Sequence, residues 1–453
     1  MLIPSEYAVV SEMYAYAAFF MVLGSFGMET TFFRFVSSKK MNVEAVFSTS
    51  FWAILFNSSL ILTLLTILNK NIASLINHNT HPEYILFFSV IIFIDLLLII
   101  PFALLRHYNH AVKFSVLKTI NIFLNIFFNI FFLLLCPALI KNNISPNLIN
   151  LIYDPGMSVS YIFISNLLAS SVTLIFLAPT FLRNLQMPDY SIFRQMIKYA
   201  WPILIAGLAF VVNESADKIL IKYLLPKGIA MRELGIYSAC YKLTIFLTLF
   251  TQAYRFAAEP FFFNQYNKPN AKKIYALMMR IFMLFSLAIF LFVTLYIDYI
   301  KLILRSELYH EGIKIIPIVL LANIFLGAYY NLSVWYKVIN KTFYAAIISS
   351  IGAILTITLN FILVPRYGYI GAAWSTLACY GLMFLISLQL SKRHYIIPYE
   401  MSRIISYFLI AGIIFSVSFF FPQTIIVSTV LFFIYAIFAL SELKKIMNLK
   451  KDT

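Results

Sequence analysis

The chain has 453 residues, 62% of them hydrophobic and only 11% charged, with a formal net charge of +16 and a mean hydropathy of +0.88. Soluble domains carry about 25% charged residues, so a soluble globular class is excluded. The missing charge is removed from long runs, each able to cross the ~30 Å hydrocarbon core as a helix, and the alternating ten-residue segments of an outer-membrane barrel are absent.

In chain order, the apolar runs predict an all-α, polytopic membrane protein with thirteen spans. They fall near 8–36, 44–68, 83–105, 112–136, 157–182, 197–225, 233–263, 270–297, 312–337, 342–364, 368–391, 402–421 and 423–441. Asn, Pro, Lys and Gly clusters such as NKNIASLINHNTHP and NQYNKPNAKK mark the breaks between them. The longest connection joins the fourth and fifth spans, and no soluble domain is inserted. The opening MLIPSEY has no basic stretch before an apolar core, so no signal peptide is expected. Cys136, Cys240 and Cys379 all fall inside apolar runs, where small packing residues are expected rather than a disulfide framework or a metal cluster.

The basic residues flanking the spans divide twenty to nine between the two sides. The richer side carries Arg34, Arg106, Arg183, Lys272, Lys392 and the tail lysines. The positive-inside rule makes it cytoplasmic, with the C-terminus, and an odd number of spans then puts Met1 outside. Topology thus accounts for the basic excess, and no nucleic-acid partner is expected.

A weak internal repeat runs at a constant offset of 227 residues, pairing Glu6 with Glu233, Ser11 with Ser238, Tyr14 with Tyr241 and Phe19 with Phe246. A whole helix ending in LLP precedes the second copy, and only MLI precedes the first. The expectation is a six-helix repeat whose first helix is missing from this chain, followed by two further helices. The two halves would then share one orientation about an axis along the membrane normal. The domains are expected as an N-terminal lobe over 1–190 with five helices, a C-terminal lobe over 191–395 with six, and two extra helices with a basic tail over 396–453.

Charges inside spans are the strongest functional signal, because one at a helix centre costs ~2.5–3.5 kcal/mol on insertion scales. The stretch NESADKILIK places Glu214, Asp217 and Lys218 inside the sixth span. Glu214 and Lys218, four apart, are expected to pair, with Asp217 on the same general side, so the group should point into the bundle or a wet cavity. A structural ion pair and a role in substrate or ion passage both fit. In YRFAAEP, Arg255 and Glu259 repeat the four-residue spacing, and Lys242 precedes them. Arg34, with Glu29, lies toward the basic end of the first span. Asp95 and Lys118 are expected to pair between the third and fourth spans, and Arg280 is read as snorkelling to the interface. The pairs His78/His81 and His107/His110 lack a third ligand and are read as loop polarity, not metal sites. The phosphate-binding patterns GxxxxGK[ST] and GxGxxG are absent, so ATP-driven transport by this chain alone is not expected.

Several stretches resemble the polysaccharide flippases of the MATE/MOP exporter superfamily: NESADKILIKYLLP, GIYSACYKLTIFLTLFTQAYRFAAEPFFF, ANIFLGAYYNLSVWYKVINKT, LNFILVPRYGYIGAAWSTLACY and the opening EYAVVSEMYAYAAFFMVLGSFGMETTFFRF. The resemblance covers nearly the whole chain and implies fourteen helices in two six-helix lobes plus two. It also implies movement of a lipid-linked oligosaccharide, by alternating access, across the bacterial cytoplasmic membrane for surface polysaccharide or lipopolysaccharide biosynthesis. No catalytic residue, metal or cofactor is expected. The partners are the lipid-linked oligosaccharide, membrane lipid and a coupling ion. Such a substrate has an apolar tail, an anionic diphosphate and a polar glycan. Arg34, Lys218, Lys242 and Arg255 are the candidates for cationic contact with it, tuned by Glu214, Asp217 and Glu259. Asn213, Asn323, Asn331 and Trp335 are candidates for the glycan, or else helix-packing glue. An ion-coupled exporter of small organic cations on the same fold is the alternative. A membrane-bound glycan polymerase or ligase would need a large outward loop, which is absent, and a repeat scaffold without transport is the last reading.

Overall fold

The computed structural model describes residues 3–38, 41–142, 149, 152–183, 185–265, 268–339, 341–421 and 424–451. Among them there are helices and connecting turns but no strands. That follows from the solvent: inside hydrocarbon every backbone N–H and C=O must find a partner, and a helix satisfies them within one segment. Twelve described helices are long and apolar enough to span a membrane. The bent pair Lys227–Lys242 and Ile245–Ala258 makes a thirteenth if taken as one span. The thirteen expected runs all correspond to these elements. The chain forms two compact units, Met1–Val211 and Val212–Thr453, and the division falls within the helix Tyr190–Leu224.

The first unit is built around the helix Glu83–His107, whose hydropathic window is the most apolar in the chain. It packs against Val43–Ile67 on one side and Ser158–Leu182 on another. Phe47, Phe51, Phe88, Ile91, Leu96 and Phe163 fill the contact, all buried. Ser50 and Ser89 let the helices approach closely, and each returns its hydroxyl to a carbonyl of its own helix, Val46 at 2.7 Å and Leu86 at 2.8 Å. The first span is broken. Pro4–Ser25 ends at Phe26 and Gly27, both left-handed at φ 47° and 67°, and Met28–Ser38 resumes beyond them.

The second unit centres on the helix Ile316–Leu332, packed against Tyr369–His394, which in turn packs against Phe343–Tyr367. The last two are joined through Gly368, whose φ of 59° a residue with a side chain adopts only with strain. Gly327 faces the Phe282 ring so closely that no side chain fits there. Cys240 and Cys379 are buried packing residues here, as Cys136 is in the first unit.

Two expectations are corrected. Arg280 does not snorkel: its guanidinium is fully buried. It donates to Glu400 at 2.7 Å, to Glu442 at 3.2 Å and to the Tyr407 hydroxyl at 3.1 and 3.2 Å. Arg403 and Lys445 close the network on the same two carboxylates, at 2.6 Å to Glu400 and 2.7 Å to Glu442. This cluster ties Ala271–Leu295 to the two C-terminal helices, Met401–Val417 and Ile425–Lys451. Nor is His78 loop polarity; it is nearly buried, with Nε2 3.0 Å from the carboxylate of Glu12, itself fully enclosed. The seventh span is bent by 52° at Leu243–Thr244 without a Pro or Gly, where the hydroxyl of Thr244 bonds the Tyr241 carbonyl at 2.7 Å. Much of the long connection after the fourth span, and Lys39 and Lys40, lie outside the described residues.

Candidate functional site

In the second unit the charged stretch of the sixth span is held by an amide one turn earlier. Asn213 is buried and donates to the Ser349 carbonyl at 3.0 Å; it accepts from the Thr356 hydroxyl at 3.3 Å. Tyr380 donates its hydroxyl to the Asn213 carbonyl at 3.3 Å. These bonds fix the rotation of the helix against Phe343–Tyr367 and Tyr369–His394. Asp217, four residues on, is therefore turned inward and is 2% exposed. It accepts from the Tyr237 hydroxyl, from the Lys218 amide at 2.8 Å and from the Lys218 ammonium at 3.2 Å.

Lys218 pairs with the carboxylate of Asp217, not with that of Glu214 as expected. The backbone carbonyl of Glu214 accepts from its ammonium at 3.0 Å, and the Tyr241 ring lies 4.9 Å away. The i,i+4 rule assumes that both side chains are free to reach each other. Here Tyr237 holds Asp217 in place, and the ammonium reaches back to it along the short path. The Glu214 side chain is exposed and lies within electrostatic reach of Lys218 and Arg255. Arg255 stands over the Tyr330 ring at 5.0 Å. The arrangement thus brings Glu214, Asp217, Lys218 and Arg255 into one polar region lined by tyrosines, in which a cation can rest on an aromatic face. Lys242 ends its helix and is exposed. The side chain of Glu259 lies outside the described residues, and its backbone is helical. Arg34 is exposed and belongs to the first unit.

The four glycan candidates are largely spent on internal bonds. Asn213 is the pin just described, and Asn323 bonds the Val319 carbonyl at 2.9 Å. Asn331 donates to the Tyr254 hydroxyl, and Trp335 is fully buried with its indole N–H on Ser387 at 3.2 Å. The cavity touching Arg255 and Asn331 measures about 10 Å³, room for one water and not for a sugar ring.

A second polar region, in the first unit, encloses about 350 Å³. Glu29 and Arg106 form an ion pair on its wall. Asp95 accepts from the Ser170 hydroxyl at 2.7 Å, and the Lys118 ammonium lies 4.4 Å from the Phe102 ring. Asp95 and Lys118 line one cavity as expected, but with separate partners rather than as a contact pair. Asn121 donates to Thr173 at 2.9 Å, and Asn166 to the Tyr14 hydroxyl at 2.7 Å. Sequence reasoning missed this convergence, although its signal is present. Lys118 and Asn121 are three apart on the fourth span, and Asn166, Ser170 and Thr173 follow i, i+4, i+7 on the next. Two acids and two bases nearly cancel, so the cavity offers hydrogen bonds of both kinds without a strong net field.

The many apolar helices, with ionisable and amide groups within them, define an all-α polytopic membrane protein. Residues 1–265 match the family model described as polysaccharide biosynthesis protein, and the chain belongs to that family. Several solved structures share the fold. An inward-facing multidrug resistance MATE transporter matches with a TM-score of 0.70 and 14% identity, over 86% of this chain and 91% of its own. The lipid II flippase MurJ, in an inward closed conformation, matches with a TM-score of 0.62 and 16% identity, over 97% of both chains. A Vibrio cholerae MATE transporter matches with a TM-score of 0.58 and 14% identity, over 86% of this chain and 94% of its own. No curated protein matches the sequence significantly.

Proposed function

We propose that this protein moves a polyprenyl-diphosphate-linked oligosaccharide across the bacterial cytoplasmic membrane for surface polysaccharide or lipopolysaccharide biosynthesis, by alternating access. The observation that carries the reading is the family match together with polar regions within the spans, one in each unit. The solved flippase of this fold handles lipid II, a lipid-linked sugar. The process has no bond-making step. The protein supplies binding to two alternately exposed states, and the driving force is an ion gradient, the membrane potential or the substrate's own concentration difference.

In this reading the chain divides into an N-terminal lobe over 1–190, a C-terminal lobe over 191–395, and two further helices over 396–453. The C-terminus is cytoplasmic. Arg34, Lys218, Lys242 and Arg255 supply cationic character to the path, and Glu214, Asp217 and Glu259 temper it, so that the diphosphate is held weakly enough to leave. Arg255 can grip phosphate with a planar fork. Lys218, already paired with Asp217, keeps the local field moderate. The balanced cavity of the first unit suits the neutral hydrogen-bonding surface of a glycan.

The MATE likeness keeps a second reading in view, the ion-coupled export of small organic cations. Binding separates the two. Purified protein in nanodiscs should bind a fluorescent polyprenyl diphosphate sugar saturably and show no competition from hydrophobic cations. Saturable binding of the cations, without the lipid-linked sugar, would overturn the proposal in favour of the exporter.

A further inference from the structure

Between the turn that follows Glu83–His107 and the end of Ser158–Leu182, the first unit has a cavity that neither polar region uses. It measures about 430 Å³, within the range of small-molecule sites. Leu104, Leu105 and Pro179 give it an apolar side, and His110, Lys113 and Arg183 give it a basic one. Among the described residues, every ionisable group in its lining is basic apart from the Tyr108 phenol. That sets it apart from the cavity of Glu29, Asp95, Arg106 and Lys118, where acids and bases nearly cancel.

Exposed Lys and Arg at the ends of spans are ordinary, since they mark the cytoplasmic side. Three observations make this group a site rather than part of a basic rim. First, the basic groups are positioned. The turn is closed by backbone N–H donation from Tyr108 to Leu104 at 3.0 Å, from Asn109 to Arg106 at 3.1 Å and from His110 to Leu105 at 2.9 Å. This sets His110 at the start of the helix Ala111–Ile130. The Lys113 ammonium then reaches across to the Thr180 hydroxyl at 2.8 Å, joining the fourth span to the fifth. One of its three donors is used there, on a neutral acceptor, and its charge is left for a ligand. Second, Ala111–Ile130 begins without a cap. His110 makes no side-chain bond to the first turn, which holds no acidic residue, so the amides and dipole of that helix end add to the positive potential. Third, the flanks are apolar and open: Val112 is 78% exposed and Leu182 62%. Cations beside such a surface place the cavity where hydrocarbon meets headgroups.

A cavity at that level, rich in donors and basic groups, takes a phosphate with a net negative charge. The phosphodiester of an anionic phospholipid arrives there with its chains already in the bilayer. A free phosphate has no apolar part to set against Leu104, Leu105 and Pro179. An ethanolamine head brings an ammonium that meets no carboxylate among the described lining residues. We infer that this cavity binds the phosphate of an anionic phospholipid, bridging the turn before the fourth span to the end of the fifth. The inference needs only that the chain spans a membrane, so it stands or falls separately from the proposed substrate.

Native mass spectrometry of the purified full chain tests this, with phosphatidylglycerol, phosphatidylethanolamine, polyprenyl diphosphate or inorganic phosphate titrated in detergent. The wild type should hold phosphatidylglycerol under conditions that strip phosphatidylethanolamine. Lys113→Gln with Arg183→Gln should weaken that binding about tenfold or more. Arg194→Gln with Lys198→Gln, which removes equal charge from exposed positions elsewhere on the same unit, should change it by no more than about twofold. Equal loss from the two pairs, or equal retention of phosphatidylethanolamine, would reduce the cavity to a diffuse basic rim and overturn the inference. Polyprenyl diphosphate held more tightly than phosphatidylglycerol, and lost with Lys113 and Arg183, would give the cavity to the transported substrate. Displacement of the lipid by inorganic phosphate would give it to a soluble anion. Either result would also overturn the inference.

Discussion

Asp217 illustrates how a charge is tolerated inside a span. Its carboxylate gathers a hydroxyl, an amide and an ammonium, so that most of its lone pairs are occupied. Removing one partner of a buried pair is worse than never having built it, because the other charge is left unsatisfied. Asp217→Asn should therefore destabilise the protein by about 3 kcal/mol, and Tyr237→Phe by about 1 kcal/mol. Both can be read from thermal unfolding in detergent. A double-mutant cycle of Asp217→Asn with Lys218→Met should show coupling of about 1–3 kcal/mol, whereas a cycle of Glu214→Gln with Lys218→Met should give much less. Arg255 stands differently, over the Tyr330 ring. Arg255→Ala should abolish most glycan export while leaving the protein folded and in the membrane. Surface polysaccharide measured in a strain that relies on the variant checks this, and normal levels would remove Arg255 from the path.

At the scale of elements, the spans were legible in sequence because their signal is long and additive. About twenty apolar residues in a row have few other readings. The break in the seventh span was not. The bend after Lys242 has no Pro or Gly and depends on a local Thr244–Tyr241 bond, which leaves no mark in composition. The first span carries Gly27 at its break, but the Asn57 amide that satisfies the freed carbonyls comes from another span. Charged pairs were legible as groups but not as partners, since spacing names neighbours on one helix and cannot see Tyr237 or Ser170 on another. Arg280 was misread for the same reason. Its acids, Glu400 and Glu442, lie more than a hundred residues away. That network makes two further predictions at this scale. Glu442→Gln should lower the unfolding temperature and make the C-terminal helices the first segment to exchange amide hydrogens, measured by mass spectrometry. Asn57→Leu, by leaving two carbonyls bare, should cost about 1–3 kcal/mol, again from thermal unfolding.

For the whole molecule, the family and the all-α membrane architecture follow from features spread over hundreds of residues, and sequence carries such features well. The candidate functional regions rest on side chains whose convergence only a fold reveals. The polar cavity of the first unit is the clearest case: its Asn and Ser stripes could be read on each span, but not that they face one another. Orientation is a molecule-scale prediction as well. A single cysteine placed near the C-terminus should react with a membrane-impermeant thiol reagent only after cells are opened, against the low background of three buried native cysteines. The central claim is movement of a lipid-linked glycan, and reconstitution tests it most directly. Proteoliposomes would carry a fluorescent polyprenyl diphosphate oligosaccharide in both leaflets, and a soluble glycan-cleaving enzyme would be added outside. The account predicts cleavage of well over half the lipid with wild-type protein, and only the outer-leaflet half with Arg255→Ala or empty vesicles. Half cleavage by all three would contradict it.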